Sequence, residues 1–345
     1  MSFSIAFGST RSSTNWRTVA CTSRCSGVSS KSTGVSLRRL GIAALFQAVL
    51  ALVSGGAQPQ NAPELPNLTP RQKAALVVVA GLPAPKGVGG VLVQEWSRSL
   101  PRPRKAIVFV DQEGGTASTF DSLPPGGAAE SFGSRRAAFA AGKATGRALG
   151  RVGVDVDLAP VVDLAGGPLG SRHFRAPADA LAFADGLEVG GTGSCPKHFP
   201  GLGSARVSTD ESPHVRARLL PAETRAFGRA VRGGVECVMV GHAFYRRFGL
   251  ERRASFNPAA YRFLREQGFE GVAITDSISV FGSDWAVPAA KRAMRAGADL
   301  VLLTNGPDAA RVVHALIPLA RRGALDAHVE RVLAYRRSLG LPAVP

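Results

Sequence analysis

The chain has 345 residues, of which 45% are hydrophobic and 19% charged, so it can bury a core and is not a disordered protein. Its 42 basic residues outnumber 25 acidic ones, and 35 of the basic residues are arginines. This excess indicates either the codon usage of a GC-rich genome or attraction to a polyanion such as a cell-wall polymer. Only 7% of the residues are aromatic and the body of the chain has no short basic run, so we expect no nucleic-acid partner.

Residues 1–60 are predicted to be a disordered leader that ends in a signal peptide. Residues 1–34 are rich in serine and threonine, and an arginine pair then precedes an apolar run at 40–53. Small residues follow up to Ala57. A charged start, an apolar stretch shorter than the roughly 20 residues of a spanning helix and a small-residue exit are typical of a signal peptide. We expect cleavage near Ala57 and an extracellular or cell-wall-associated protein; the alternative is an uncleaved N-terminal anchor.

Two of the four cysteines, Cys195 and Cys237, lie in or beside apolar runs in the body of the chain. Cysteines in such surroundings are often small core residues. We therefore expect two buried thiols rather than a disulfide. The other two, Cys21 and Cys25, have neither a second cysteine pair nor a histidine nearby, so a zinc site is not expected.

Residues 64–343 repeat one pattern, in which a short apolar run precedes a stretch with the spacing of an amphipathic helix. The apolar runs lie at 75–82, 90–93, 106–110, 154–162, 192–199, 235–240, 271–275 and 299–303. The helical stretches lie at 134–149, 178–189, 221–231, 258–266, 288–295 and 308–322. Strands that alternate with helices pair in parallel, and eight such units predict a single-domain α/β fold, a (β/α)8 TIM-type barrel. The rival is an open doubly wound sheet, but its Gly-rich phosphate fingerprint is missing after the first run.

Polar side chains follow several of the predicted strands, at the ends where a barrel carries its chemistry. They are Asp111, Asp163, Lys197, His198, His242 and Asp276. Six such groups on one rim would cost desolvation energy that a structural role does not recover, so we interpret them as a functional site. Three of these residues also have structural roles as alternatives. Asp276 could cap a helix, Asp111 could cap a turn, and Asp163 could do no more than hold a loop in place. Lys197 and His198 are adjacent and would point to opposite faces if the strand includes both.

Several strings, taken together from about Leu68 to Gly340, resemble glycoside hydrolase family 3, and specifically its single-domain bacterial β-N-acetylhexosaminidases. The strings are Asp-Gln-Glu-Gly-Gly at 111–115, Asp-Leu-Ala-Pro-Val-Val-Asp at 157–163, Gly-Ser-Arg-His-Phe at 170–174, Lys-His-Phe-Pro-Gly at 197–201, Gly-Phe-Glu-Gly at 268–271 before Thr275-Asp276, and Ala-Gly-Ala-Asp at 296–299. The string at 197–201 is the most specific of them, and the order of the strings adds to the resemblance.

The resemblance implies hydrolysis of a β-linked N-acetylhexosamine with retention at the anomeric carbon. Asp276 would be the nucleophile. The substrate-binding residues would be Asp111, Arg172, Lys197, His198 and His242. The implied partner is a carbohydrate, such as a β-glycoside derived from peptidoglycan. We expect no metal, no organic cofactor and a monomeric protein.

The sequence departs from this family where the general acid/base should be. The relatives carry an Asp-Ser-His dyad after the string at 197–201, but in ungapped register Ser208 and Asp210 stand at the dyad Asp and His. Leu202 replaces a usual histidine, and Thr116 replaces an arginine. The replacement acid could be Asp210, Glu211 or His214.

Three interpretations of this departure stay open. The protein is an active glycosidase that uses Asp210 or Glu211 as its acid, with a hexosaminidase or a β-glucosidase type of specificity. Alternatively it is a glycan-binding relative with weak or no turnover. The third interpretation is a barrel aldolase with Lys197 as the Schiff-base amine, which would need a lowered lysine pKa.

Overall fold

Eight short strands form inside the eight predicted apolar runs, in a computed structural model that describes residues 67–345 except residue 165. We label them β1 to β8: Val78–Gly81, Gly90–Leu92, Ile107–Val110, Val156–Asp157, Gly193–Ser194, Cys237–Val240, Val272–Thr275 and Val301–Leu303. The predicted leader at 1–60 lies outside the described residues. The first run was predicted too long, because its first two residues belong to a helix that ends at Leu76.

The strands pair in parallel and in chain order. Six of them form one sheet in the order β8-β1-β2-β3-β4-β5, and β6 pairs with β7. Two single parallel bridges connect these sets, from Phe199 after β5 to Val240 of β6, and from Ile274 of β7 to Leu300 before β8. Each strand therefore neighbours the next around a ring, as the predicted (β/α)8 barrel requires.

Eight helices, α1 to α8, surround the strands in the described part of the chain. They are Pro70–Leu76, Arg135–Arg151, Pro177–Gly190, Pro221–Arg232, Pro258–Arg265, Ala286–Ala296, Gly306–Arg321 and Asp326–Ser338. The six predicted helical stretches correspond to α2–α7 within two residues at each end. Several helices begin where a cap residue precedes a proline, as at Thr69, which accepts a hydrogen bond from the Gln72 amide. The connections β1–β2 and β2–β3 lack an α-helix, a departure from the ideal repeat.

The core has two layers because side chains alternate along each strand. One layer fills the barrel interior and includes Val79, Phe109, Met239 and Ile274, all at most 2% exposed. The other layer joins the outward strand side chains to the helices. The described residues include no helix with the length and apolarity needed to cross a membrane.

Helix α8 closes the end of the barrel at which the strands begin. Its Val332 and Tyr335 belong to the interior layer of the core. Arg336 is fully buried and donates hydrogen bonds to the carbonyl oxygens of Gly89, just before β2, and of Lys105, shortly before β3. Burial lowers the pKa of this guanidinium to about 10. The carbonyl groups at the strand starts are thus satisfied by a side chain from the last helix.

The expectation of two separate thiols is wrong, because Cys195 and Cys237 form a disulfide. Cys195 directly follows β5, Cys237 begins β6, and their Cα atoms are 4.7 Å apart. Both residues face the barrel interior. The sequence shows that both are apolar in context, but not that neighbouring strands bring them side by side.

Candidate functional site

Lys197 lies among the polar residues at the carboxyl ends of the strands. Its ammonium Nζ is 2.6 Å from Asp111 Oδ1 and 2.6 Å from Glu113 Oε1. The lysine side chain is 3% exposed, whereas that of Asp111 is 43% exposed and open to the mouth of the barrel. Burial alone would lower the pKa of Lys197, but the two carboxylates raise it. The aldolase interpretation needs the opposite shift and is therefore wrong.

Glu113 joins the two predicted sugar-binding cations, although the sequence analysis gave it no role of its own. Arg172 donates to both carboxylate oxygens of Glu113, at 2.7 Å from Nε and 2.7 Å from Nη2. Burial alone would raise the pKa of Glu113, but Lys197 and Arg172 lower it to about 2. The pKa of Arg172 is raised in turn, mainly by Glu113. Glu113 therefore holds Lys197 and Arg172 in a fixed arrangement.

His198 and Asp163, which were predicted separately as members of the site, form a pair in which Nδ1 of the imidazole is 2.8 Å from Asp163 Oδ2. The second carboxylate oxygen of Asp163 accepts a hydrogen bond of 2.7 Å from the Leu202 amide. Asp163 thus orients the histidine and also holds the loop, so its two alternative roles coexist. Burial alone would lower the pKa of His198, but Asp163, with help from Asp276, raises it. Nε2 of His198 has no partner within the described residues, and towards a ligand it accepts a hydrogen bond when the ring is neutral and donates one when the ring is protonated.

Lys197 and His198 do not diverge as strand alternation would require. Lys197 contacts Asp111 and Glu113, and His198 contacts Asp163, so both side chains lie at the mouth of the barrel. Both side chains act electrostatically on the same carboxylate, that of Asp276.

Asp276 directly follows β7 and is partly accessible. Its Oδ1 accepts a hydrogen bond of 2.7 Å from the Ser277 amide, and its Oδ2 has no hydrogen-bond partner within residues 67–345. Burial alone would raise the pKa of this carboxyl, but the nearby imidazoles of His242 and His198, the Ser277 amide and Lys197 lower it. The result is an ionised carboxylate with one oxygen available at the mouth of the barrel.

His242 directly supports the segment that carries Asp276. Its Nδ1 is 2.7 Å from Ser255 Oγ, and its Nε2 is 3.0 Å from the carbonyl oxygen of Ser277. Because a carbonyl only accepts, Nε2 carries the proton and Nδ1 accepts from the serine hydroxyl. Burial lowers the pKa of His242. Both ring nitrogens are occupied by the protein, so the predicted contact between His242 and substrate stays a prediction.

The acid/base candidates lie on the loop that follows Gly201. Asp210 is exposed, and its Oδ2 is 3.3 Å from Ser208 Oγ. Its charge nevertheless acts on Arg172, after the larger effect of Glu113, and on His242. Glu211 and His214 are also exposed, and neither acts on these site residues. Of the three candidates, Asp210 is therefore the one whose charge is felt by both Arg172 and His242.

A second carboxylate that the sequence analysis missed fastens the base of this loop. Glu223 Oε1 accepts hydrogen bonds from the amides of Leu164, at 2.9 Å, and Gly203, at 2.7 Å. A Cβ at Gly201 or Gly203 would lie within 2.5 Å of the Glu223 carboxylate, so only glycine fits there. Burial raises the pKa of Glu223 to about 7, and its Oε2 has no partner within the described chain. The sequence offered one signal, an acidic residue in the first turn of a predicted helix.

Burial also perturbs Asp157, a member of the string at 157–163. Its Oδ1 accepts from the Gln112 amide at 2.9 Å, and burial raises its pKa to about 8. Asp157 is therefore a buried neighbour of the charged network, and its burial favours the neutral form of its carboxyl. No cluster of three or more metal-binding side chains occurs in the part of the chain that the structure describes.

Comparisons with known proteins agree with this geometry. The profile of the glycosyl hydrolase family 3 N terminal domain matches residues 92–335. A β-hexosaminidase of Thioalkalivibrio sulfidiphilus is 34% identical over 245 residues, which cover 62% of this chain and 70% of the relative. A β-hexosaminidase of Methylococcus capsulatus is 32% identical over 235 residues, with coverages of 61% and 70%.

Solved structures of similar proteins have the same fold as this chain. A family 3 glycosyl hydrolase of Mycobacterium smegmatis superposes with a TM-score of 0.70 at 28% identity and covers 78% of this chain and 97% of its own. A β-N-acetylhexosaminidase of Beutenbergia cavernae, at 24% identity and a TM-score of 0.69, covers 80% of this chain and 99% of its own. The family profile and the β-hexosaminidase relatives define the class of the protein as a glycosidase. The chain belongs to glycosyl hydrolase family 3.

Proposed function

We propose that the protein hydrolyses a β-linked N-acetylhexosamine, from a cell-wall or related glycan, with retention of anomeric configuration. The observation that carries the proposal is the ionised, partly accessible Asp276 carboxylate with a free oxygen. The names of the β-hexosaminidase relatives support the choice of sugar. A retaining glycosidase needs a carboxylate nucleophile on one face of the sugar and a proton donor on the other.

In this mechanism Asp276 Oδ2 attacks the anomeric carbon and forms a covalent glycosyl-enzyme. The bond from that carbon to the glycosidic oxygen breaks at the same time, and the leaving oxygen takes a proton from the acid/base residue. The hydrogen bond from the Ser277 amide to Oδ1 fixes the orientation of the carboxylate. Positive charge that develops on the sugar ring is stabilised by the same carboxylate. Water then cleaves the intermediate, and Asp276 is regenerated.

The sugar would be bound by the charged network opposite the nucleophile. Asp111 has the most accessible carboxylate of that network and can accept from sugar hydroxyls, while Lys197 and Arg172 can donate to them. His198 can contact a sugar hydroxyl through Nε2, as acceptor when the ring is neutral and as donor when it is protonated. Glu113 and Asp163 contribute by holding these groups in place, so that little ordering remains to be done when substrate binds.

Asp210 is our choice for the acid/base, ahead of Glu211. The charge of Asp210 acts on Arg172 and His242, whereas that of Glu211 acts on neither.

The nucleophile is tested with Asp276→Ala on a panel of 4-nitrophenyl β-glycosides. These substrates have a good leaving group that needs little acid assistance, so a weak acid does not hide an active nucleophile. We expect wild type to hydrolyse the N-acetylglucosaminide and the variant to be inactive. Asp284→Ala, which removes an exposed carboxylate eight residues away, should leave turnover unchanged. Full activity of Asp276→Ala would refute the assignment, and an inverted first product in proton NMR would refute retention.

The acid is tested by comparing leaving groups. Asp210→Ala should slow hydrolysis of substrates with poor leaving groups by about 10²–10⁴-fold and affect good ones little, because only poor leaving groups need a proton. Glu211→Ala serves as the matched control. Equal slowing of both substrate types would exclude an acid role for Asp210. Tight glycan binding without turnover, equal in wild type and Asp276→Ala, would instead identify a binding protein that has lost its chemistry.

A further inference from the structure

His173 is a buried histidine that the mechanism described above does not use. It directly follows Arg172 in the segment between β4 and α3, and it is 2% exposed. Both ring nitrogens contact backbone groups. Nε2 accepts a hydrogen bond of 3.1 Å from the Leu169 amide, and Nδ1 lies 3.0 Å from the carbonyl oxygen of Asp163. Neither nitrogen is therefore free to contact a ligand.

The two partners fix the tautomer of the His173 ring. An amide only donates, so Nε2 carries no proton, and a carbonyl only accepts, so Nδ1 carries one. The ring is therefore neutral, and each nitrogen meets the kind of partner that it can bind. An imidazole held in this way connects two backbone segments.

The connected segments carry different members of the sugar-binding network. One is the short turn Gly170–Arg172, whose start is closed by the hydrogen bond from Leu169 to the imidazole. The other contains Asp163, whose carboxylate orients the imidazole of His198. His173 thus joins the backbone beside one sugar-binding cation to the residue that orients another sugar-binding group.

The ring also lies where this turn meets the loop after β5. A Cβ at Gly167 would be 2.7 Å from the Cα atom of Gly203 and 3.2 Å from Cε1 of His173. The backbones of the two loops are therefore in close contact beside the ring. This contact and the two hydrogen bonds together restrict the position of the turn relative to the end of β4.

Arg172 is sensitive to the position of that turn. Its guanidinium reaches Glu113, which follows β3, and donates two hydrogen bonds of 2.7 Å to it. Such a two-pronged contact depends on the orientation of both groups, and a displacement of about 1 Å at an active site can cost about 10²-fold in rate. The side chain of Arg172 is 23% exposed, so substrate can still reach it.

We propose that His173 is a positioning residue for substrate binding, which holds the Arg172 turn at a fixed distance from the segment after β4 and so keeps the Arg172 guanidinium on Glu113. The inference rests on the proposed function where it concerns the affinity for sugar. The contact between Arg172 and Glu113 belongs to the protein itself, so it can be tested without a substrate. His173 acts through Arg172 and not on the sugar.

The first test is a double-mutant cycle in urea unfolding at pH 7, which needs no substrate. His173→Phe keeps a flat buried ring and removes both hydrogen bonds. If this change releases Arg172, Glu113 loses one of its two cationic partners, and the shift in urea midpoint caused by Glu113→Gln should fall by about half. Val332→Ala, a core variant at the other end of the barrel, should lower the midpoint but leave the effect of Glu113→Gln unchanged. An unchanged effect in His173→Phe as well would overturn the positioning role.

Two polar variants separate the two hydrogen bonds of the ring. The amide nitrogen of an asparagine lies close to the position of Nδ1 and can still donate to Asp163, whereas the amide oxygen of a glutamine lies close to that of Nε2 and can still accept from Leu169. His173→Asn should therefore keep the full effect of Glu113→Gln, and His173→Gln should behave like His173→Phe. This pair also provides the test if His173→Phe does not fold. The reverse order would overturn the role given to the Asp163 contact.

The second test separates KM from kcat on 4-nitrophenyl β-N-acetylglucosaminide. His173→Phe should raise KM about tenfold, the effect of one weakened charge-assisted hydrogen bond, and change kcat less than about threefold. In an Arg172→Met background the same change should raise KM less than about twofold, because the residue through which His173 acts is absent. His314→Phe, which changes an exposed histidine of α7, is the control and should leave both constants unchanged.

The outcomes of the two tests distinguish this inference from the proposed function. A lower kcat at unchanged KM in His173→Phe, or an equal rise in KM with and without Arg172, would overturn the positioning role. A reduced effect of Glu113→Gln in urea together with no hydrolysis of any glycoside would support the positioning role and overturn the proposed function alone.

Discussion

Glu113 offers the sharpest quantitative test, because it is the buried carboxylate that joins Lys197 and Arg172. The change is Glu113→Gln, which keeps the shape of the side chain and removes its charge. The pKa of Glu113 is lowered from 4.5 to about 2. At about 1.4 kcal/mol for each pKa unit, the ionised carboxylate contributes about 3 kcal/mol to the free energy of unfolding at neutral pH. Breaking a buried ion pair from one side costs a similar amount.

The pH dependence follows from the direction of that shift. A carboxyl with a lowered pKa contributes fully above its unfolded pKa of about 4.5, and the contribution is lost as the pH falls toward 2. The difference in unfolding free energy between wild type and Glu113→Gln should therefore be about 3 kcal/mol at pH 7 and fall to about half of that by pH 3.

The assay is urea unfolding followed by tryptophan fluorescence at several pH values between 7 and 3. Glu130→Gln is the matched control, because Glu130 is exposed and its side chain forms no ion pair in the described part of the chain. A difference below about 0.5 kcal/mol at pH 7, the size of an ordinary surface substitution, would refute the reasoning. A difference that stays constant with pH would refute its electrostatic basis. In activity assays the variant should raise KM more than it lowers kcat, because it loosens Lys197 and Arg172.

Three further predictions concern stability and processing. The raised pKa of Glu223, about 7, makes wild type lose stability as the pH rises. In urea unfolding, the free energy of unfolding of Glu223→Gln should therefore increase relative to that of wild type by up to about 3 kcal/mol between pH 5 and pH 8. A difference between the two proteins that does not change with pH would contradict this. Alkylation and mass analysis should find no free thiol at Cys195 or Cys237 in oxidised protein, and Cys195→Ser should lower its melting temperature by loss of the cross-link. Export, which we propose from the leader, predicts a mature N-terminus near Ala57 or Gln58 in peptide mapping of secreted protein, and intact residues 1–40 there would argue against it.

The strands and helices were predictable because each one is encoded by its own residues. Apolar runs bounded by glycine and aspartate predicted the strands. Proline in the first helical turn indicated the start of α3, α4 and α5. The first run failed only where an apolar helix end merges with an apolar strand, since periodicity does not separate the two over so few residues.

Contacts between distant residues were not predictable in the same way. The roles of Glu113 and Glu223 depend on which loops meet at the mouth, and the Cys195–Cys237 pair depends on the neighbouring positions of β5 and β6. The position of Asp276 directly after a strand is a local property, whereas its prediction as the nucleophile came from the resemblance to glycoside hydrolase family 3. The preference for Asp210 over Glu211 as the acid came only from the folded structure, in which the charge of Asp210 acts on Arg172 and His242.

The buried Arg336 stabilises the end of the barrel that lies opposite the proposed reacting groups. Its guanidinium holds the last helix against the starts of β2 and β3, while all proposed reacting groups lie at the opposite ends of the strands. The loops at the mouth can therefore be exchanged, by evolution or by design, without weakening the contacts between the last helix and the starts of the strands. A loop that carries the acid residue of a relative could thus replace the loop at the mouth, because the stabilising contacts of Arg336 lie at the other end of the barrel.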